Sequence, residues 1–578
     1  MKTKATILII LVLIINYLPI FSQTISLLHT NDLHAHILEQ VTASGDTSGG
    51  FAQISMLINK EMKNAEHPVF VADAGDFLMG TFFQMIEMET AFQLDLMNDM
   101  GYDVISLGNH EFDFGVDAFA NYARKANRSG CPPLLLSNID YTSSKNEQKF
   151  SDLFRDSIVQ PYTIIEKEGV KVGFIGVFGQ TAYDYTPNLH EYKLLNKIKT
   201  TKKYVKILQE KHHVDFIICL SHSGVYKNDK GDWDISEDIE LAKKVKGIDA
   251  IISGHTHTYL EEPIIINGTP IVQTASYGKY IGKLTLEKNN PSATKYKLIP
   301  VSGGRPQNGI IPEKIELQFQ KLKDTLNKYI GIDYNQYILE TQFSLNYLDE
   351  NPEMSNIGPL IADAIHYNVN QKDEKGTDIS LIAQGMIRSG LEKGSYTLPQ
   401  IFQVASLGEG NDNIPGYALS RMYFKAREIK LVLEMLEMMA KNDPTYYCHI
   451  SGAEIIKDEN AGFLKKIKSI KINNEESGLS NIDLSKRNKQ LYAVTADTYM
   501  MRNLSMVKKK SLGLIKVIPK MNDGKPVENI NQTIVDGDKN KKGIQEIKVW
   551  QSILDYAASF EDHNNNDIPD VPEKYKQK

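Results

Sequence analysis

The chain has 578 residues, too long for a single hydrophobic core, so two or more domains are expected. With 42% apolar and 24% charged residues it has the composition of a globular protein, not of a disordered or fibrous one. A net charge of −7 argues against a broad nucleic-acid-binding surface, and no nucleic-acid duplex is expected as a partner.

At the N-terminus, Lys2 and Lys4 precede an apolar stretch over residues 5–21 and a polar patch, Ser22-Gln23-Thr24. Residues 1–23 read as a secretory signal cleaved near Ser22 or Gln23. That predicts an exported chain, periplasmic, extracellular or on the cell surface. An uncleaved anchor is the competing reading. It is weakened because the stretch is barely long enough to span a bilayer and contains Asn16 and Pro19. No Cys stands at the cleavage point to take a lipid, and no later stretch has transmembrane character. Cys131, Cys219 and Cys448 are odd in number and give no disulfide framework.

Residues 24–310 alternate strand and helix patterns. Strands are expected at 25–29, 69–72, 104–107, 134–137, 172–178, 216–220, 250–253 and 270–274, several of them continuous apolar runs suited to burial on both faces. Amphipathic stretches at 90–100 and 116–126 lie between them. The alternation predicts a layered α/β core. Residues 312–331 read as one helix with a stripe of Ile315, Phe319, Leu322, Leu326 and Ile330, which makes 311–333 the interdomain connector. A second domain, 334–520, carries helix patterns at 355–367 and 424–440 and strand patterns at 379–383 and 491–495. The remainder, 521–578, reads as a polar tail with a loose linker, a helix around 544–558 and a final loop.

Five short motifs fall at the ends of apolar runs in the first domain: His29-Thr30-Asn31-Asp32-Leu33-His34, Gly75-Asp76, Gly108-Asn109-His110-Glu111-Phe112-Asp113, Ser221-His222-Ser223-Gly224 and Gly254-His255-Thr256-His257. Asp32 and His34, two residues apart in extended backbone, can face one side and chelate an ion. Gly75 allows a sharp turn that brings Asp76 between two ions. A shared carboxylate is one way to hold metals the ~3.5–4 Å apart that in-line displacement uses. Asn109 offers a neutral oxygen, His222 and His255 can complete one shell, and His257 the other. Ligands arriving from separate strand ends match where open α/β sheets build their sites. Mixed N/O ligation without thiolate suits Zn, Mn, Fe or Co, and Mg less well. His110 is expected to face the substrate, stabilising charge or protonating the leaving oxygen, with Asp113 orienting its imidazole. The set points to hydrolysis of a phosphoester by water activated at two divalent ions.

With these motifs in place, the N-terminal half resembles the calcineurin-like metallophosphoesterases. With the connector and second domain, the chain resembles the secreted 5'-nucleotidase and UDP-sugar hydrolase family over residues 25–520. The resemblance implies a four-layer α/β/β/α metallophosphatase domain and a smaller α+β C-terminal domain that binds the nucleoside and rotates to deliver the phosphate. It implies that Asp32, His34, Asp76 and His257 hold one ion, that Asp76, Asn109, His222 and His255 hold the other, and that His110 and Asp113 are the catalytic pair. Asn138 matches a family segment beside the phosphate site. In the second domain Ser355-Asn356-Ile357-Gly358 resembles the family's helix start, and Gln384-Gly385-Met386-Ile387-Arg388 its glycine-rich segment, so that Arg388 would grip phosphate oxygens.

Two family features are missing. Ala405-Ser406-Leu407-Gly408-Glu409-Gly410 replaces the stretch whose Phe stacks on the base, and Asp497-Thr498-Tyr499-Met500-Met501-Arg502-Asn503 replaces a Gly-Gly-Asp-Gly segment. Leu407 has no π-face, and Tyr499 is the residue that can replace one side of the clamp. The expected partner is therefore a small-molecule phosphoester, first of all a nucleotide. A cyclic nucleotide, a nucleotide sugar or a sulfur-linked substrate of the thiosulfohydrolase type is the alternative, and an inactive surface binding protein the remaining one. In the tail, Asp562, Asn564, Asn566, Asp570 and Glu573 stand at positions one, three, five, nine and twelve of a calcium-loop register, with Asp567 where Gly is usual.

Overall fold

Strands form where the apolar runs lie, and their ends set the geometry of everything that follows. In the computed structural model, residues 23–577 are described apart from 42–45, 144–148, 229–230, 234–235, 289, 305, 307, 348–350, 463, 475–477, 503 and 505–516. The signal-sequence reading of residues 1–23 thus falls almost wholly outside the described residues. The chain divides into two compact units, one built from residues up to 40, 47–77 and 91–312, the other from 41–46, 78–90 and 313 onward.

The first unit contains two sheets. In one, Thr24–Thr30, Val69–Asp73, Val104–Ser106, Leu134–Leu135 and Val159–Gln160 run parallel in that order, with Tyr280–Glu287 and Lys295–Pro300 added antiparallel on the Thr24–Thr30 side. In the other, Val170–Phe178, Phe216–His222, Ala250–Ser253 and Thr269–Val272 are parallel, flanked by antiparallel Tyr162–Lys167 and Ile264–Ile266. Ile25, Leu27, Phe70, Ala72 and Val104 of the first sheet pack on Phe174, Ile218, Leu220 and Ile252 of the second. On the outer face of the second sheet, Ile175, Val177, Ile217, Cys219 and Ile251 pack with Val205 and Leu208 of helix Lys197–Glu210 and with Ile239 and Leu241 of helix Glu237–Lys244. Helices Phe51–Lys63, Phe92–Asp99 and Val116–Ser129 occupy the crossovers of the first sheet. The result is the α/β/β/α layering expected. All the parallel strands of both sheets are buried, which is why their sequences read as unbroken apolar runs.

Local differences from the sequence pattern have simple causes. The helix expected over 90–100 runs Phe92–Asp99, and Ala91, whose φ is +53°, parts it from a preceding helix, Gln84–Thr90. The helix expected over 424–440 starts two residues later. Leu419–Lys425 is a strand, with Phe424 opposite Tyr492, and the helix runs Ala426–Ala440 behind a cap made by Lys425 and Glu428. The connector helix runs Ile310–Tyr329.

The second unit has a mixed sheet in the order Leu419–Lys425, Leu491–Asp497, Ile379–Ala383, Cys448–Ser451, covered by helices Ile357–Lys372 and Ala426–Ala440. A three-stranded antiparallel sheet, Ala453–Lys457, Ile467–Asn474 and Gly478–Asn481, joins it. Residues 520–548 lie along the outer edge of Leu419–Lys425. Tyr423 N–H donates to Lys520 O (2.9 Å), Val535 N–H to Leu419 O (2.9 Å) and Leu419 N–H to Ile547 O (2.8 Å). The polar composition that suggested a loose linker belongs to a segment that covers a sheet edge through its main chain. Helix Val549–Ala557 follows, and Trp550 within it is fully buried.

Candidate metal centre

Asp32, Asp76, Asn109, His222, His255 and His257 all stand at or just past the C-terminal ends of the parallel strands, and His34 two residues beyond Asp32. The backbone there is unusual. Asp32 (φ +50°), His34 (+47°), Asp76 (+58°), His255 (+74°) and His257 (+53°) adopt the left-handed region that non-glycine residues rarely enter. Each such residue costs on the order of 1–3 kcal/mol, and strain of this kind persists where surrounding structure fixes a functional geometry. Gly75, with φ +95°, and Gly108 complete the turns. A Cβ on Gly108 would sit 2.2 Å from Asp76 Oδ1 and 2.7 Å from the His222 ring, so only glycine lets these loops meet.

The side chains converge in three groups, Asp32, His34 and His257 in the first, Asp76, His222 and His255 in the second, and His34, Asp76 and His110 in a third that shares one residue with each, with donor atoms in each within 4.8 Å of one another. In the first, His257 Nε2 lies 3.5 Å from Asp32 Oδ1 and 3.0 Å from His34 Nε2. In the second, His222 Nε2 lies 3.0 Å from Asp76 Oδ2 and 3.2 Å from Asn109 Oδ1, and His255 Nδ1 2.9 Å from the same amide oxygen. Asp76 Oδ2 also lies 4.0 Å from His34 Nε2, so this carboxylate faces both groups. His110 joins at the rim. Its backbone N–H donates to Asp76 Oδ1 (2.8 Å), and its Nδ1–H to Asp113 Oδ2 (2.6 Å).

Burial gives these groups unequal proton affinities. Asp32 is pushed up to about 7, by loss of solvent first, with Asp76 nearby adding to it. Burial also acts to raise Asp76, but the charge of His222, with that of His110 and His34, outweighs it and holds Asp76 well below the usual range. His222 shows the reciprocal effect. Burial opposes its charge, yet Asp76 raises it to about 10. His255 is lowered to about 3 by burial and by His222. Buried carboxylates thus draw a proton into the cluster as their counter-charge. Such a set exchanges that proton for a cation, and its oxygen and imidazole donors without thiolate fit divalent metal ions.

A layer of residues that sequence reasoning gave no role holds the donors. Asn31 donates from Nδ2 to Asp32 Oδ2 (2.6 Å) and to Ala275 O (2.6 Å). Glu111, buried between two loops, accepts from Gly108 N–H (2.5 Å) and Asp76 N–H (3.1 Å). Asp238 accepts from Ser221 Oγ (2.6 Å) and Ser253 Oγ (2.6 Å), tying together the ends of the two strands that lead to His222 and His255. Asn31 and Glu111 lie inside the motifs. Asp238 comes from a helix start and carries no local signal.

Asn138 stands three residues past strand Leu134–Leu135. It is fully buried, its Nδ2 donates to Phe178 O (2.8 Å) and its Oδ1 accepts Phe178 N–H (2.8 Å), which clips one strand end to a neighbouring turn. Arg388 and Tyr499 belong to the second unit. Arg388 follows the turn Gln384–Met386, its N–H donating to Val404 O (2.9 Å). Tyr499 stacks on Tyr417, with ring centroids 5.5 Å apart and planes 29° from parallel. Leu407 offers no ring, but the loop that begins there delivers Tyr417, a residue outside any recognisable motif. In the tail, Asp562 accepts the N–H groups of Asn564 (3.2 Å), Asn566 (3.3 Å) and Asp567 (2.9 Å). Asp570 accepts from His563 N–H (2.8 Å), and the amides of Asn564 and Asn566 donate to Glu340. Glu573 opens a short 3-10 turn.

Two stacked α/β sheets with Asp, Asn and His donors at their strand ends define a metal-dependent phosphoester hydrolase. Residues 25–259 match the family of calcineurin-like phosphoesterases and residues 338–507 the C-terminal domain of 5'-nucleotidases. The chain thus carries a calcineurin-like phosphoesterase domain followed by a 5'-nucleotidase C-terminal domain. It is 28% identical over 414 residues to the trifunctional nucleotide phosphoesterase protein YfkN of Bacillus subtilis, a match covering 66% of this chain and 26% of that protein. It is 28% identical over 443 residues to the snake venom 5'-nucleotidase of Gloydius brevicauda, covering 69% of each. The crystal structure of a 5'-nucleotidase precursor from Thermus thermophilus shares the fold, with a TM-score of 0.68 at 21% identity over 92% of this chain and 96% of that one.

Proposed function

We propose that this protein is an exported 5'-nucleotidase that releases inorganic phosphate from nucleotides at a pair of divalent ions. The observation that carries the reading is the position of Asp76, whose carboxylate faces both donor groups. Asp32, His34, Asp76 and His257 would hold one ion, and Asp76, Asn109, His222 and His255 the other. Bound there, the ions supply Lewis acidity toward the phosphoryl oxygens and make water acidic enough to attack in line. His110 is the catalytic residue of the chain itself. Asp113 fixes its Nδ1–H, which aims Nε2 at the ester, where it stabilises phosphoryl charge and gives a proton to the leaving oxygen as the P–O bond breaks.

Support for a nucleotide comes from the second unit. Tyr417 and Tyr499, both half-buried, present aromatic faces of the kind that stack on a base. Arg388 is assigned to the phosphate, where a guanidinium grips two oxygens. A second reading, another nucleotide ester such as a cyclic nucleotide or nucleotide sugar, is favoured by Leu407, which removes one expected ring. Export rests on the basic and apolar residues 2–21. Among the described residues no helix is long and apolar enough to cross a membrane. The tail loop is assigned to calcium because Asp567 has φ +65° at the position where calcium loops use glycine.

The test is phosphate release from a 5'-nucleotide, a cyclic nucleotide, a nucleotide sugar and ribose 5-phosphate, before and after chelation and with each metal restored. Fastest turnover on the 5'-nucleotide, lost on chelation, is expected. Turnover that survives exhaustive metal removal would overturn the reading.

A further inference from the structure

We propose that the chain beyond the nucleotidase domain is part of the specificity machinery, with Lys548 and Trp550 as positioning residues that hold Tyr417 against Tyr499. The proposal rests on the reading of these tyrosines as a platform for the nucleotide's base.

The loop 407–417 closes on itself through main-chain bonds. Gly410 N–H donates to Ile414 O (3.0 Å), Gly416 N–H to Gly408 O (2.8 Å) and Tyr417 N–H to Leu407 O (3.0 Å). Its own side chains supply little that fixes it, since Asn411, Asp412 and Asn413 are partly or fully exposed. What fixes it comes from residues 546–550. Lys548, with no exposed surface, donates from Nζ to Asp412 Oδ1 (2.8 Å) and to Glu546. Glu546 Oε1 in turn accepts Asn411 N–H (3.0 Å). The indole N–H of Trp550 donates to Pro415 O (2.7 Å). A Cβ on Gly416 (φ +99°) would lie 2.8 Å from the Trp550 ring, so the loop's return strand lies directly on the indole. Trp550 is itself packed by Phe402 and Phe82, with ring centroids 5.7 and 5.4 Å away. Tyr417 leaves the loop immediately after Gly416, and the next residue, Ala418, bridges to Lys548. Every anchor of the loop therefore sits within a few residues of the ring. Gly408 lies under that ring, where a Cβ would be 2.4 Å from the Tyr417 ring.

A buried lysine held between a loop carboxylate, Asp412, and its neighbour Glu546 fixes conformation, and a ring fixed in advance binds a planar ligand without the entropy of ordering it. Residues 546–550 thus do for the aromatic platform what a longer recognition motif does elsewhere.

The experiment uses the full-length, metal-loaded enzyme and compares KM for a 5'-nucleotide with KM for ribose 5-phosphate, which has the same ester and no base. Tyr417→Ala is expected to raise the ratio of the two about tenfold, the loss of one stacking face. Lys548→Met and Trp550→Phe are expected to raise the same ratio, and to raise it no further in the Tyr417→Ala background. Trp550→Phe removes the N–H together with part of the buried indole, whereas Asp412→Asn removes only one charge, so Asp412→Asn carries the test if the other two do not fold. Single variants that leave the ratio within twofold, or that act equally with and without Tyr417, overturn the proposal while the platform reading stands. A Tyr417→Ala enzyme with an unchanged ratio overturns the platform reading itself, and the proposal with it.

Discussion

The donor cluster of the first unit and the 407–417 loop of the second are both organised around buried charge, but they solve the same problem in opposite ways. In the loop, the cation belongs to the chain: Lys548 sits permanently between Asp412 and Glu546. In the cluster, the cationic groups that face Asp32 and Asp76 are imidazoles, whose charge depends on protons. A built-in cation gives a fixed structure that ions in solution do not alter. A carboxylate–imidazole set gives a site that takes its cation from solution and competes with protons for it. On the proposed reading, chemistry is located where the cation is exchangeable, and shape recognition where it is not.

Several experiments break or sharpen this contrast. The largest expected effect is at His110, which on the proposed reading acts on the ester without being one of the assigned ligands. His110→Ala is expected to lower kcat by about 10²–10⁴-fold with metal content nearly intact. Loss of the metals instead would make His110 a ligand. Next is Asp238, which ties together the strand ends behind His222 and His255. Asp238→Asn is expected to weaken metal affinity about 10–100-fold, read by titration with a competing chelator, and the variant should stay folded. Unchanged affinity would reduce Asp238 to packing.

A smaller effect comes from pH. In the metal-free cluster Asp32 titrates at about 7 and His222 at about 10, so below those values each binds a proton that a metal must displace. Affinity should therefore fall as pH drops from 8 to 6, by up to about tenfold per displaced proton per pH unit, and loading should release protons measurable in weakly buffered solution. The Lys548 anchors have no such dependence on metal. The smallest effect is in the tail, where millimolar calcium should raise Tm by a few degrees in the wild type and not in Asp562→Ala. An equal shift in both would remove the loop as a calcium site.

The cluster was largely legible because metal chemistry dictates residue identity. Only Asp, Asn, His and a few others can serve, and they fall directly after apolar runs that can only be buried strands. What holds the cluster was not legible. Positive φ at Asp32, Asp76 and His255 is imposed by neighbouring loops and leaves no mark in composition. Asp238 reaches its serines through sheet topology, not through proximity in sequence. The second unit shows the limit more sharply. On the proposed reading Tyr417 replaces a ring missing at Leu407 from ten positions away, because stacking constrains where a face lies and not which residue supplies it. The tail between 520 and the helix expected around 544 reads as loose linker because its polar side chains mask main-chain bonds to a sheet edge. The helix expected from 424 starts at Ala426 for the related reason that Tyr423 and Phe424 alternate in a strand before the helical period begins.

The central claim is that Asp76 joins two metal ions into one site. Elemental analysis of the purified chain and of Asp76→Asn, each reconstituted with excess divalent metal and desalted, tests it directly. The account predicts two ions per chain in the wild type, at most one in the variant, and phosphate release lost with the second ion. A variant that retains both ions and its activity, or a wild type that never binds more than one, would contradict it.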